Sequence, residues 1–145
     1  MTSREANIVT QDKEGGFKVD NKIRRNIKYP VGPMDVLSVV KTNEHYRVLY
    51  DVKGRFILHK IKEAEAKYKL VKVTAKAVGS NKVPYIVTND ARTIRYPHPD
   101  INVGDTIRLD LEKNTIIEHF AYESGHLSFV TGGNNIGRVG QVIHV

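Results

Sequence analysis

Apolar and polar residues alternate along most of this chain, in runs that are short and closely spaced. A period of two is the signature of a strand with one face in a core and the other in water. Phe17-Lys18-Val19 and Ile23-Arg24-Arg25-Asn26-Ile27 alternate around Asp20-Asn21-Lys22. That arrangement predicts a hairpin with Phe17, Val19, Ile23 and Ile27 on one face and cations on the other. Further strands are expected at 35–40, 46–51, 56–61, 70–78, 83–88, 105–111, 115–120, 127–130 and 139–143. Val52-Lys53-Gly54-Arg55 is the turn of a second hairpin, with Lys53 and Arg55 pointing outward on either side of the glycine. Helical spacing is confined to Lys62–Lys69, where Glu63 precedes Lys67 and Glu65 precedes Lys69 by four residues and Ala64 and Tyr68 share an inner face. Residues 1–16 are polar, end in Lys13-Glu14-Gly15-Gly16 and read as a mobile lead-in, while Pro30-Val31-Gly32-Pro33 is the clearest boundary. Many short strands, frequent turns and one short helix predict a mainly β fold, with a small barrel or rolled sheet at its centre.

The last two strands flank a loop of unusual composition, Thr131-Gly132-Gly133-Asn134-Asn135-Ile136-Gly137-Arg138. Glycine and asparagine tolerate positive φ, so this loop can turn its backbone N–H groups outward, with Arg138 placed to meet a phosphate or a base. Gly132-Gly133 is not a nucleotide-binding loop of the Gly-Lys-Ser/Thr kind. An exposed turn without any ligand is the competing reading.

Charge sharpens the choice. The 145 residues carry a formal net charge of +7 and no cysteine, which excludes disulfides and thiolate metal sites. Residues 41–82 alone hold eleven basic and four acidic side chains. Such an excess attracts polyanions, either nucleic acid or an anionic membrane. Membrane is the weaker candidate, since no apolar run approaches the ~20 residues of a spanning helix. Catalysis finds little material. The six histidines, 45, 59, 98, 119, 126 and 144, lack metal-ligand spacing. Asp105 and Asp110 fall on opposite faces of one expected strand and make no acid/base pair. We expect no enzyme activity, no metal site, no cofactor and no small-molecule substrate.

Val130-x-Gly132 followed by Gly137-x-x-Gly140-x-Val142 resembles the KOW motif of ribosomal and transcription-elongation proteins. The full string from Val130 to Gly140 resembles more narrowly the archaeal and eukaryotic small-subunit ribosomal protein family S4e. Four further stretches carry the same resemblance in the same order: Tyr29-Pro30-Val31-Gly32-Pro33-Met34-Asp35-Val36, Tyr50-Asp51-Val52-Lys53-Gly54-Arg55-Phe56, Glu65-Ala66-Lys67-Tyr68-Lys69-Leu70 and Asp90-Ala91-Arg92-Thr93-Ile94-Arg95-Tyr96-Pro97. The resemblance implies three segments. Residues 1–33 correspond to the lead-in and the closing hairpin of an S4-type RNA-binding domain, 34–122 to a central β domain, and 123–145 to a partial KOW, SH3-like hairpin. It sets the earlier helices of the S4-type domain and a further β-rich C-terminal region outside this chain.

The function implied is that of a structural constituent of the small ribosomal subunit. It would contact ribosomal RNA and neighbouring ribosomal proteins in the cytoplasmic ribosome, and in the nucleolus during assembly in a eukaryote. The alternative is a KOW-type elongation or assembly factor that binds protein. Candidate phosphate contacts are Lys22, Arg24, Arg25 and Lys28 on the first hairpin, Lys53 and Arg55 on the second, and Lys72 and Lys76, which even spacing puts on one side of a strand. Arg92 either binds phosphate or pairs with Asp90. Arg95 and Tyr96 either stack on an unpaired base or serve turn packing. The resemblance places Asn134, Asn135 and Arg138 against RNA.

Overall fold

The Asp20-Asn21 turn folds as the alternation predicts. Strands β1 (Phe17–Val19) and β2 (Lys22–Ile23) pair antiparallel across it, and Asp20 and Asn21 adopt φ of 49° and 65°. Two successive left-handed residues give the turn whose twist matches that of the flanking strands. The computed structural model describes residues 2–11 and 16–145, so Lys13-Glu14-Gly15 of the expected lead-in lies outside the described residues. Two units are present, one formed by Met1–Lys69 with Val130–Arg138, the other by Leu70–Phe129 with Val139–Val145.

In the first unit, β3 (Val36–Val39), β4 (Glu44–Tyr50) and β5 (Phe56–Ile61) complete a five-stranded antiparallel sheet in the order β2-β1-β3-β4-β5. Phe17 lies opposite Val39, so β1 and β3 pair across Pro30–Pro33, and that stretch is a loop within one sheet. Because β1 and β4 are each antiparallel to β3, they run in the same direction. The β1–β2 and β4–β5 turns therefore emerge at the same end of the sheet.

Val19, Val36 and Val48 are buried, but Ile23 and Ile27 are exposed, contrary to the expected apolar face. β2 is two residues long and lies at the sheet edge, so nothing covers its side chains. The opposite edge, β5, is exposed along nearly its whole length, including Phe56, Ile57 and Leu58.

A helix the alternation did not predict, α1 (Ser3–Thr10), occupies the expected lead-in. Thr2 caps it. The Glu5 N–H donates to Thr2 Oγ1 (3.4 Å) and the Thr2 N–H to Glu5 Oε2 (2.8 Å), the reciprocal pair that satisfies two orphan donors of a first turn. The expected helix at 62–69 shortens to α2 (Glu63–Ala66). Lys69 is not on a helix face paired with Glu65. It sits on β6 (Tyr68–Val78), 1% exposed, with Nζ 2.7 Å from both Asp20 Oδ2 and Asp35 Oδ1. Both carboxylates are bonded again on their other oxygen, Asp20 Oδ1 by the Val36 N–H (3.1 Å) and Asp35 Oδ2 by the Gly32 N–H (2.9 Å).

Arg47, on β4, closes the same region. Its Nη2 donates to the carbonyl of Glu65 (2.8 Å), in the last turn of α2 where helical acceptors lack partners, and to that of Tyr68 (2.9 Å) just past the helix. Burial pulls its guanidinium below the ordinary arginine value, opposed by the nearby charges of Tyr68, Glu65 and Asp20.

The second unit is built on β6, β7 (Pro84–Thr88), β8 (Thr93–Arg95), β9 (Thr106–Asp110) and β10 (Ile116–Phe120), in the order β10-β9-β6-β7-β8. Val71, Val73, Ile86, Ile101, Ile107 and Leu109 form its buried core, with Ile94 and Ile116 against it. β11 (Leu127–Phe129) and β12 (Val139–Gln141) pair as the flanks of the glycine-rich loop. The mainly β class with little helix is thus as expected. Asp105 and Asp110 act in turns. Asp105 accepts from the Asn102 and Tyr122 N–H groups (2.8 and 3.0 Å), Asp110 from those of Glu112 and Lys113 (2.8 and 3.0 Å).

Removing the Lys69 ammonium would take the shared counter-charge from two carboxylates whose side chains are only 12% and 15% exposed. Lys69→Met is expected to lower the unfolding free energy by about 3–5 kcal/mol. Adding Asp20→Asn and Asp35→Asn to it should recover part of the loss. Urea denaturation of the three proteins checks both.

Candidate nucleic-acid interface

The candidate cations differ in how far the fold engages their side chains. Of the cations expected on the first hairpin, Lys22 lies on β2, whereas Arg25 and Lys28 fall in the loop that follows this two-residue strand; all three are exposed, and their side chains bond to no described residue. Arg24 differs. Its guanidinium carbon lies 4.2 Å from the centre of the Tyr29 ring, a cation–π contact, and its Nε is buried with no acceptor among the described residues. Ile23, Arg24, Arg25, Asn26 and Tyr29 together line a shallow depression.

On the second hairpin, Lys53 is exposed and unpaired among the described residues. Arg55 meets Asp51 at a long 3.5 Å, with 72% of its side chain exposed. Tyr50 and Phe56, opposite each other on β4 and β5, stack at 4.7 Å and stiffen the stem.

Lys72 and Lys76 do not share a side. The β6–β7 register shifts between Val73 and Ala75, so that Val73 lies opposite Thr88 and Lys76 opposite Ile86. Directly opposed residues point the same way. Lys76 is therefore turned toward the face of Val73 and Ile86, and Lys72 points away from it. One extra residue in a strand reverses the parity of everything beyond it. Both lysines are exposed, but Lys76 Nζ is held by the carbonyls of Pro99 (2.8 Å) and Ile101 (2.7 Å).

For Arg92 the internal pairing is realised. Its Nε lies 2.7 Å from Asp90 Oδ2 and its Nη1 2.6 Å from Asn114 Oδ1. Arg95 is exposed without a partner among the described residues, next to Tyr96, which is 72% exposed at φ 54°. Tyr96 therefore packs into no core. Its backbone N–H is fixed by the Pro84 carbonyl (2.9 Å), which holds the ring outward in a conformation rare for a bulky residue.

In the glycine-rich loop, Asn134, Asn135 and Arg138 are exposed. The loop is not free at its base. Gly137, at φ 83°, sits so close to β4 that a Cβ there would overlap the Asp51 carbonyl, and a Cβ on Gly54 would lie 2.6 Å from Ile136 Cγ2. Gly137 and Gly54 are the two positions where a side chain would push the loops apart. That packing could not be read from either loop alone.

Outside the candidate set Lys60 is internally paired, its Nζ 2.6 Å from Glu44 Oε1. Among the described residues no group of three metal-ligating side chains comes together, and no helix is long and apolar enough to cross a membrane. Lys60 holds the Glu44 carboxyl below the ordinary carboxylate range, with help from the Tyr46 and Thr42 hydroxyls. A depressed carboxylate contributes stability above its unfolded pKa and loses it as the pH falls through the folded value. In Lys60→Met, the Glu44 side-chain carbon is expected to titrate at higher pH than in the unaltered protein, by NMR, and an unmoved midpoint would count against the pairing.

The model of the family described as Ribosomal family S4e matches residues 42–116. The chain is 52% identical over 146 aligned residues to the small ribosomal subunit protein eS4 of Tetrahymena thermophila, covering 100% of this chain and 56% of that protein. It is 53% identical over 131 residues to eS4 of Bombyx mori, covering 90% of this chain and 50% of that protein. The chain thus spans about half the length of these relatives. Among solved structures, the crystal structure of the 30S ribosomal protein S4e from Thermoplasma acidophilum superposes with a TM-score of 0.85 at 30% identity, over 98% of this chain and 72% of that one.

Proposed function

The chain belongs to the ribosomal protein family S4e, and from that premise we propose that it is a structural, non-catalytic constituent of the small ribosomal subunit that binds ribosomal RNA through cationic turns. One observation carries the reading: about half of all positions are identical to small-subunit proteins along nearly the whole chain, and the basic turns keep exposed cations. RNA duplexes are recognised through shape and phosphate more than through base edges. Stiff hairpins ending in lysine and arginine suit that task, since each cation set against a phosphate releases counterions.

Lys22, Arg25, Lys28, Lys53, Arg55, Lys72, Arg95, Asn134, Asn135 and Arg138 are the residues we assign to RNA contact, with Tyr96 as a stacking surface. Arg24 belongs with them, its guanidinium carbon 4.2 Å from the centre of the Tyr29 ring. Lys76 and Arg92 are assigned to the fold instead, because their donors are spent on internal acceptors. Residues 1–33, 34–122 and 123–145 are read as the end of an S4-type domain, a central domain and part of a KOW module. Association with neighbouring ribosomal proteins and residence in the ribosome follow from the same proposal, as does passage through the nucleolus in a eukaryote. The reading as an elongation or assembly factor finds no support in these relatives, which carry small-subunit names.

Small-subunit ribosomal RNA transcribed in vitro is the direct probe. Affinity is expected to fall about 10³-fold or more between 50 and 200 mM salt if six or more phosphates are contacted. Replacing Lys53, Arg55 and Arg138 together by glutamine should lower the slope of log K against log salt by about two to three. Arg92→Gln should leave that slope unchanged while lowering the melting temperature. Salt-insensitive binding, or none, defeats the assignment.

A further inference from the structure

The β4–β5 turn and the glycine-rich loop lie 75 or more residues apart in sequence, yet both belong to the first unit and pack glycine against backbone. Gly137 meets the Asp51 carbonyl and the Tyr50 Cβ, and Ile136 meets Gly54. Both glycines have positive φ, 83° and 77°, so each turn is shaped to admit the other. Between them, residues 51–55 and 130–138 hold three cations, Lys53, Arg55 and Arg138, against a single acid, Asp51. That acid is partly spent, its Oδ1 accepting the Val52 N–H at 2.7 Å.

The loop adds donors of a second kind. The Ile136, Gly137 and Arg138 N–H groups are satisfied by the carbonyls of Gly133, Val130 and Asn135. Those of Gly132, Gly133, Asn134 and Asn135 have no acceptor among the described residues, and all four residues are exposed. Successive free N–H groups in a glycine-containing turn form a concavity that suits an anion, and arginines beside it supply the charge that a neutral turn lacks.

We propose that the Val52–Arg55 turn and the Thr131–Arg138 loop form one composite site for the RNA phosphodiester backbone, Lys53, Arg55 and Arg138 supplying charge and the Gly132–Asn135 amides supplying direction. The site rests on the RNA-binding reading above and goes beyond it. Two loops that act separately lose affinity independently when altered. Two loops that grip one stretch of backbone lose it together, because releasing one side removes the geometry the other needs.

A double-mutant cycle on the full chain tests this, with in vitro transcribed small-subunit ribosomal RNA as the probe at 150 mM KCl. Arg55→Gln and Arg138→Gln are each expected to weaken binding about tenfold, the order for one charged hydrogen-bonded contact. The double variant should weaken it about 10- to 30-fold, well short of the ~100-fold product of independent effects. Ile136→Ala removes no charge and is expected to weaken binding about threefold or more while the circular dichroism spectrum is retained. In amide NMR spectra, RNA should shift the Gly132 and Gly133 resonances in the unaltered chain, and much less in Arg55→Gln. Losses that multiply, or amide shifts indifferent to Arg55, overturn the composite site and leave the RNA-binding reading standing. An unaltered chain that does not bind RNA overturns both.

Discussion

A single buried ammonium organises the first unit. Lys69 draws together Asp20 from the β1–β2 turn and Asp35 from the loop before β3, and each carboxylate in turn fixes a backbone N–H of the neighbouring segment. The apolar core around it is small, essentially Val19, Val36 and Val48. Ion pairs removed from water bring little net stability compared with apolar packing, but they tolerate few alternative arrangements. What Lys69 contributes is registration: the turn bearing Lys22, the approach to β3 and the start of β6 are held to one arrangement. Arg47 acts alongside it, its Nη2 tying the Glu65 carbonyl at the end of α2 to the Tyr68 carbonyl at the start of β6.

This division of labour among cations explains how a chain so rich in lysine and arginine keeps some of them for a partner. Lys69, Arg47, Lys76, Arg92 and Lys60 are anchored by carboxylates or carbonyls of the fold. Lys22, Arg25, Lys28, Lys53, Arg95 and Arg138 are not anchored by any described residue, and most of them lie at turns. Net charge measures the sum of both sets and so overstates what any surface offers.

How much of this was legible depended on the range of the interaction. The Asp20-Asn21 hairpin and the span of β5 follow from local pattern and turn chemistry. Helix α1 carries a local signal, Thr2 and Glu5 at capping-box spacing, within a polar stretch that shows no clear apolar face. The Glu65–Lys69 pairing failed because helical spacing says nothing of carboxylates 34 and 49 residues away. Lys72 and Lys76 were assigned to one side by counting, and the bulge at Thr74 undid the count. In the candidate interface, the exposed residues of each turn were readable, whereas the seating of Gly137 on Asp51 was not, since nothing in either segment names the other.

The bare edge strand β5 has a practical corollary. Phe56, Ile57 and Leu58 are exposed on a strand whose outer side carries no partner in the sheet, the arrangement by which one sheet extends another. Mutual repulsion between molecules bearing a +7 charge opposes such stacking in dilute buffer. Raising the ionic strength shrinks the reach of that repulsion to a few ångströms, ~3 Å at 1 M, while leaving apolar attraction intact. The concentrated brine customarily used to strip polyanions from a basic protein is thus the medium in which charge does least to keep these edges apart.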